Sequence, residues 1–397
     1  MKIPGAVRAY NPLASAEEEY DVSVSIVTFN SREFIGGCLD SVYRNASHLA
    51  IEVIVVDNAS GDGTVWLVRE EYPQVNLIQN DQNVGFARAQ NQALRLGTGR
   101  YRLLLNPDTI LLPRALDTMV DFLDRNPSVG AVAPVQWSDE ERTLAWSYVK
   151  LPNPATIIFQ YTLLGRLFPN NPLYRREWEY DRKLLVSQSA QKARGLPGGC
   201  LLVSRRCIED VGLLDEGYFL FIEDADWTMR MDRRGWPVYV LPQAEIIHYL
   251  ARSIVYLDNI QSIMWQGLRR YLRKYHGQLW LMVVDMAVEI NRRIMLLIPC
   301  VRHLVPNLRS GISDAVTRKG PGEIQWQRVA DAEEYFLQVS LSRDFTYGGT
   351  TIIRGCQWKP TATLLHHWRN QTFYWRVFPV TADGPLGKLL ATGVYRT

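Results

Sequence analysis

A chain of 397 residues is too long for one ordinary hydrophobic core, which stops growing at roughly 250–300 residues, so two or three units are expected. With 47% hydrophobic and 21% charged residues and a net charge of +3, the composition is that of a globular protein, and the basic excess is too small to announce a nucleic-acid binder. The five cysteines (Cys38, Cys200, Cys207, Cys300, Cys356) are odd in number and hold no C-x-x-C pair, which argues against a disulfide framework or a zinc site and suits a reducing, cytoplasmic compartment.

Residues 1–20 read as an extension without the apolar run of a secretory signal. From Val22 onward, β-branched runs alternate with helical stretches, the pattern of an α/β domain with a mainly parallel sheet, expected over 21–255. The strand VSVSIVTF (22–29) brings Thr28 and Asn30 to its end and precedes a helix through Phe34 to Tyr43. IEVIVV (51–56) ends at Asp57-Asn58, followed by the turn ASGDGT and a helix from about Thr64. VNLIQN (75–80) leads into NVGFARAQNQAL, helical from about Phe86, and YRLLL (101–105) stops at Asn106-Pro107-Asp108, because proline cannot continue a central strand. In open sheets of this kind ligands bind beyond the carboxyl ends of the strands, where Asp57 and Asp108 stand.

Further on, GLPGGCLLVSRR (195–206) supplies a glycine-rich turn at Gly198-Gly199. YFLFIEDADWTMR (218–230) sets Glu223, Asp224 and Asp226 directly behind an apolar run. Acids in a first helical turn interact favourably with the macrodipole, by roughly 0.3–1 kcal/mol each, and Asp226 can pair with Arg230 four residues on. VYVLPQAEIIHYL (238–250) ends a strand region near His248. In the segment 256–316, LWLMVVDMAVEINRRIMLLIPCV carries Asp285, Glu289, Arg292 and Arg293 as a narrow polar stripe on an apolar helix. Residues 251–310 hold nine Lys/Arg against three Asp/Glu. Two readings stand equally: an interfacial helix lying on an anionic membrane, or a helix packed against the catalytic domain with its basic residues solvated. No uninterrupted apolar stretch reaches the roughly 18 residues of a spanning helix. After the linker TRKGPG, the alternating runs EIQWQRV, EYFLQVSLS, TTIIRG and QTFYWRVFPVTA predict a small β-sandwich over 317–397.

Neither G-x-G-x-x-G after a strand nor G-x-x-x-x-G-K-[ST] is present, so dinucleotide and P-loop chemistry lose their main support. What remains is acids at strand ends and one late histidine. Asp108 and His248 have types that can share a divalent cation; taken singly, each also reads as an ordinary turn former or a hydrogen-bonded core histidine.

Six runs, in order, resemble the inverting family 2 glycosyltransferases with a GT-A fold, and most closely their rhamnosyltransferase branch: SIVTFN, VVDNASGDGT, NVGFARAQNQA, LLLNPDT, LLDEGYFLFIEDADWTMR and HYLARS. Trp227 replaces a usual Leu or Phe, and Ala251-Arg252 replaces a glycine-rich pair before Ser253. The resemblance implies that Asp57 reads the donor's pyrimidine base, that Thr28, Asn30 and the Asn83–Gly85 loop support the nucleotide, and that Asp108 and His248 hold Mg²⁺ or Mn²⁺ on its diphosphate. Asp224 is then the general base, Glu223 orients the acceptor, and Gly198, Gly199 and Trp227 line the sugar or acceptor subsite. It implies a nucleotide-sugar donor, dTDP-rhamnose ahead of a UDP-sugar, and a glycan or lipid-linked acceptor in cell-surface polysaccharide synthesis, with the protein in the cytoplasm or peripheral on the membrane's cytoplasmic face. A non-catalytic glycan-binding scaffold is the competing reading. The C-terminal module resembles a fibronectin type III domain, with Trp326, Tyr335, Trp358, Tyr374 and Trp375 as core aromatics.

Overall fold

The computed structural model describes residues 20–46, 48–146, 151–168, 171–249, 259–301, 323–330, 332–340, 348–367, 372–381 and 390–396. The N-terminal extension as far as residue 19, the Ala251-Arg252-Ser253 stretch and the linker 317–322 lie outside them.

β1 (Val22–Thr28) is buried at every position, because it runs mid-sheet with helices over both faces. After α1 (Arg32–Asn45) comes β2 (Ile51–Asp57), then α2 (Thr64–Glu71), β3 (Asn76–Gln79), α3 (Phe86–Leu96) and β4 (Tyr101–Leu105). β2 and β4 flank β1 in parallel, and β3 extends the sheet beside β2. Period-2 alternation divides the apolar residues between two cores. Val24, Ile26, Leu103 and Leu105 pack with Ile35, Val68 and Leu116 on one face; Leu104, Ile54 and Val56 face the helices on the other.

Next in the chain are β5 (Thr109–Leu111), α4 (Ala115–Arg125), β6 (Ala131–Trp137), β7 (Ala145–Trp146), α5 (Pro154–Tyr161), α6 (Leu163–Leu167) and α7 (Pro172–Val186). β8 (Gln191–Ala193), β9 (Cys200–Ser204), α8 (Arg205–Val211), α9 (Glu223–Arg233) and β10 (Val238–His248) follow. β9 inserts antiparallel between β4 and β6, and β10 lies parallel to β6. The resulting order, β3-β2-β1-β4-β9-β6 with β10 beside β6, is the expected mixed, mainly parallel α/β sheet with helices on both faces. β5 turns back against the end of β10, with His248 opposite Thr109.

α10 (Ile260–Val301) is interrupted at Gly277, whose φ of 84° and ψ of 170° are not helical; only glycine adopts such a conformation cheaply. One face of α10 is packed: Leu268, Leu272, Leu281 and Val284 are buried with Ile157 of α5. The packed-helix reading therefore holds for that face. No helix among the described residues is long and apolar enough to cross a membrane.

The C-terminal part contributes β11 (Ile324–Gln325), β12 (Ala332–Ser340), β13 (Gly348–Ile353), β14 (Gln357–Trp358), α11 (Ala362–His367), β15 (Thr372–Thr381) and β16 (Ala391–Arg396). β13, β12, β15 and β16 form an antiparallel sheet, and β11 pairs with β14. These strands do not stand apart from the rest: β13 pairs with β7, Gly349 opposite Trp146 and Thr350 opposite Ala145. Leu144 and Trp146 are buried in the same cluster as Trp326, Tyr335, Trp358 and Trp375. A Cβ on Gly349 would collide with Leu144 Cγ, so a side chain at that position is incompatible with the junction as it stands.

Candidate active site

The first cradle forms where β1 and β2 end side by side. The hydroxyl of Thr28 donates to Asp57 Oδ1 at 2.8 Å, and the Ser60 backbone N–H donates to Oδ2 at 2.9 Å. Asn30, at φ 51°, receives the Gly61 N–H on its Oδ1 at 2.8 Å and donates its own N–H to Ser60 Oγ at 2.8 Å. Asp57 is buried and each of its oxygens keeps a second acceptor lone pair. The Asn83–Gly85 loop closes the cradle: Gly85 N–H donates to Asn83 Oδ1 at 3.0 Å, and Asn58 Nδ2 donates to Gly85 O at 3.3 Å. Gly85 has φ 87°, and a Cβ there would meet Phe219 O at 2.7 Å, so a glycine is required. Thr28, Asn30, Asp57, Asn83 and Gly85 thus come together; Asn58 and Ser60, inside the quoted ASGDGT run or beside it, join them.

The second cluster stands at the ends of β4 and β10. Because β5 pairs with β10, Asp108 Oδ1 comes within 3.3 Å of His248 Nε2, both side chains buried. His248 Nδ1 lies 2.9 Å from Gln136 Oε1, an acceptor, so in the neutral imidazole Nδ1 carries the proton and Nε2 keeps its lone pair. Asn106 Nδ2 also approaches Nε2, at 3.3 Å. Two electron-pair donors facing each other across 3.3 Å fit adjacent ligands of one cation, since ligands about 2.1 Å from an octahedral ion stand roughly 3 Å apart. The Gln136 contact holds the ring's orientation from the side away from Asp108, as the second hydrogen bond of a metal-bound histidine does. Among the described residues no group of three or more His, Cys, Asp or Glu gathers for a metal, so no third ligand of those types joins this pair there.

Gly198 and Gly199 connect that cluster to the acids. Gly198 N–H donates to Asp224 Oδ2 at 3.0 Å. At Gly199 a Cβ would sit 2.6 Å from His248 Cε1, so the absence of a side chain there lets the histidine approach. Gly199 O accepts from Asn106 N–H at 2.9 Å. Phe221 and Ile222 both adopt left-handed backbone, φ 67° and 70°, which costs roughly 1–3 kcal/mol each for such residues and is a feature of functional sites. That turn starts α9, and the second residue of the helix, Asp224, is the one the Gly198 N–H reaches.

The two acids differ. Glu223 is buried; its Oε2 has no hydrogen-bond partner, and burial, reinforced by Asp224, pushes its pKa up to about 8. Asp224 is only partly buried. Desolvation raises its pKa too, opposed by the N–H groups of Gly198 and Ala225. A carboxylate moved toward neutrality by its surroundings is suited to general-base work. Asp226 is fully buried and structural: Arg230 Nε donates to Oδ2 at 2.9 Å, while Lys274 Nζ and Tyr275 Oη from α10 reach Oδ1 at 2.7 and 2.9 Å.

Trp227 is a correction. It is fully buried, its indole N–H donates to Gly212 O at 2.8 Å, and it packs in the core with Leu201 and Met231, so its ring is taken up by the core and not by an acceptor subsite. The sequence reading also missed Gln136 and Trp146. Gln136, the lone amide in AVAPVQW, is signalled by its polarity in a buried strand. Trp146 donates its indole N–H to His248 O at 2.7 Å, a contact without a local signal.

A family model described as Glycosyl transferase family 2 matches residues 23–210. An N-acetylglucosaminyl-diphospho-decaprenol L-rhamnosyltransferase of Mycobacterium tuberculosis is 30% identical over 224 residues, covering 52% of this chain and 69% of that protein. A chondroitin synthase of Escherichia coli is 32% identical over 114 residues, 28% of this chain and 16% of that one. Among solved structures, a mannosyltransferase from Pyrobaculum calidifontis in complex with GDP-Man and Mn²⁺ aligns over 77% of this chain and 84% of its own, at 19% identity and a TM-score of 0.41, a likeness too distant to bear on the site. The family match ends before α9 and β10, so it assigns nothing to Asp224 or His248.

Proposed function

The chain belongs to glycosyltransferase family 2, and on that footing we propose that it moves L-rhamnose from dTDP-rhamnose, with inversion, onto a hydroxyl of a glycan or lipid-linked acceptor. The observation that carries this reading is the Gly198-Gly199 turn, which holds Asp224 through one residue and abuts His248 beside Asp108 through the next. An inverting transfer needs a base on the acceptor side and charge stabilisation at the diphosphate, and consecutive residues link the two here. The donor is supported by the 30% identical relative, itself an L-rhamnosyltransferase.

In the proposed mechanism the Thr28–Asn30–Asp57 cradle and the Asn83–Gly85 loop hold the nucleotide. Asp224 takes the proton of the acceptor hydroxyl as its oxygen attacks the sugar's anomeric carbon from the face opposite the diphosphate, which leaves as dTDP. Glu223, protonated at neutral pH, offers a hydrogen bond that orients the acceptor. Mg²⁺ or Mn²⁺ held by Asp108 and His248 would neutralise charge on the leaving diphosphate. The enzyme works at the cytoplasmic face of the membrane when its acceptor is lipid-linked.

Asp224→Asn, nearly isosteric, should fold and bind donor as the parent does yet lose transfer by about 10²-fold or more. Normal turnover in that variant would remove Asp224 from the base role.

A further inference from the structure

The outer face of α10 has no part in the transfer chemistry. Beyond Gly277, where Leu281 and Val284 are buried, Leu279, Met282, Val283, Met286, Ile290 and Ile294 are 39–74% exposed. At helical spacing they form one stripe on the side opposite the packed face. Leu164 and Leu167 of α6 and the adjoining Phe168 are exposed as well, and the Leu163 N–H ties α6 to Asn291 Oδ1 of α10 at 2.8 Å. The acids of this half are neutralised by pairing: Asp285 with Arg269, and Glu289 with both Arg292 and Arg293. Between residues 260 and 301 the chain carries six Lys/Arg against two Asp/Glu.

We propose that this face docks on an anionic lipid surface, with α10 lying in the headgroup plane. An apolar stripe edged by the exposed Arg292 and Arg293, two positive charges against the single Glu289, is complementary to anionic headgroups over acyl chains. Lys274, in the half of α10 before Gly277, is bonded to Asp226 of α9, so the docked half continues from one that is fastened to the helix beginning with Glu223 and Asp224. The functional meaning, bringing the base to where a lipid-linked acceptor sits, rests on the transferase reading; the docking itself does not.

The test is sedimentation of the full chain with vesicles of phosphatidylcholine, with and without phosphatidylglycerol, at low and raised salt. The comparison is the Met286→Gln/Ile290→Gln variant, with melting temperature and nucleoside diphosphate release to a water-soluble acceptor recorded on both. The parent should sediment with the anionic vesicles and be released by salt. The variant should partition at least about tenfold less, with melting and release unchanged. A parent that stays in solution, or a variant that sediments equally, overturns the docking face, and so does a parent dimer that the two substitutions dissolve, which makes the face a self-interface. Vesicle binding as expected without any sugar transfer would support docking and count against the transferase reading.

Discussion

Glu223 is a carboxyl that the fold keeps away from water, and its titration should be visible in stability. Its pKa rises from an ordinary 4.5 to about 8 in the folded protein, chiefly by burial, so between those values the folded chain keeps a proton that the unfolded chain gives up. Stability from this group is present below about pH 4.5 and is lost as pH rises toward 8. Glu223→Gln removes the titration. It should raise the melting temperature at pH 8 well beyond any gain at pH 5, with a difference on the order of a few kcal/mol; an equal effect at both pH values would contradict the buried-acid assignment. Among the neighbouring acids, Asp226 was legible because its i,i+4 spacing pairs it with Arg230, while the motif order is what proposes Asp224 as the base. Trp227 was misplaced because adjacency to acids in sequence says nothing about which side of a helix a ring will take. Gln136 was overlooked because its partner, His248, lies 112 residues away.

At the scale of elements, α9 is held from both ends of its first turn. Phe86 N–H donates to Phe219 O at 2.6 Å, fixing the left-handed Phe221-Ile222 step from the nucleotide side. From the other side α10 supplies Lys274, Tyr275 and the Arg270–Asp215 ion pair at 2.8 Å. Asp226 is fully buried, so its charge depends on those partners. Lys274→Met should lower stability by about 1–3 kcal/mol, less than the loss of a sole partner because Arg230 remains, and a double-mutant cycle with Asp226→Asn should return a coupling of similar size. A coupling near zero would show that α10 rests against α9 without an energetic tie. The strands and helices from Val22 to Leu105 could be read from sequence because their periodicity is local. α10 could not be resolved that way: its apolar residues serve a packed face and an exposed one, and a count of charges does not separate the two.

Across the whole molecule, the C-terminal strands extend the catalytic sheet through β7 and share its edge core. Trp146 joins that core and at the same time donates to His248 O, so the C-terminal part supports the strand carrying the candidate metal ligand. Aromatic alternation revealed the strands but not this junction, since pairing between residues two hundred apart leaves no local trace. A shared core implies cooperative melting: calorimetry should show a single unfolding transition, and two well-separated transitions would mean that the C-terminal strands fold on their own. Nucleoside diphosphate release from the purified protein reads the proposed reaction itself. Offered dTDP-rhamnose, UDP-sugars and GDP-sugars in turn with a lipid-diphosphate-linked glycan acceptor, the protein should release dTDP from dTDP-rhamnose, and the Asp224→Asn form should not. Release from none of the donors, or preferential release from a UDP- or GDP-sugar, would contradict the rhamnosyl transfer proposed for this chain.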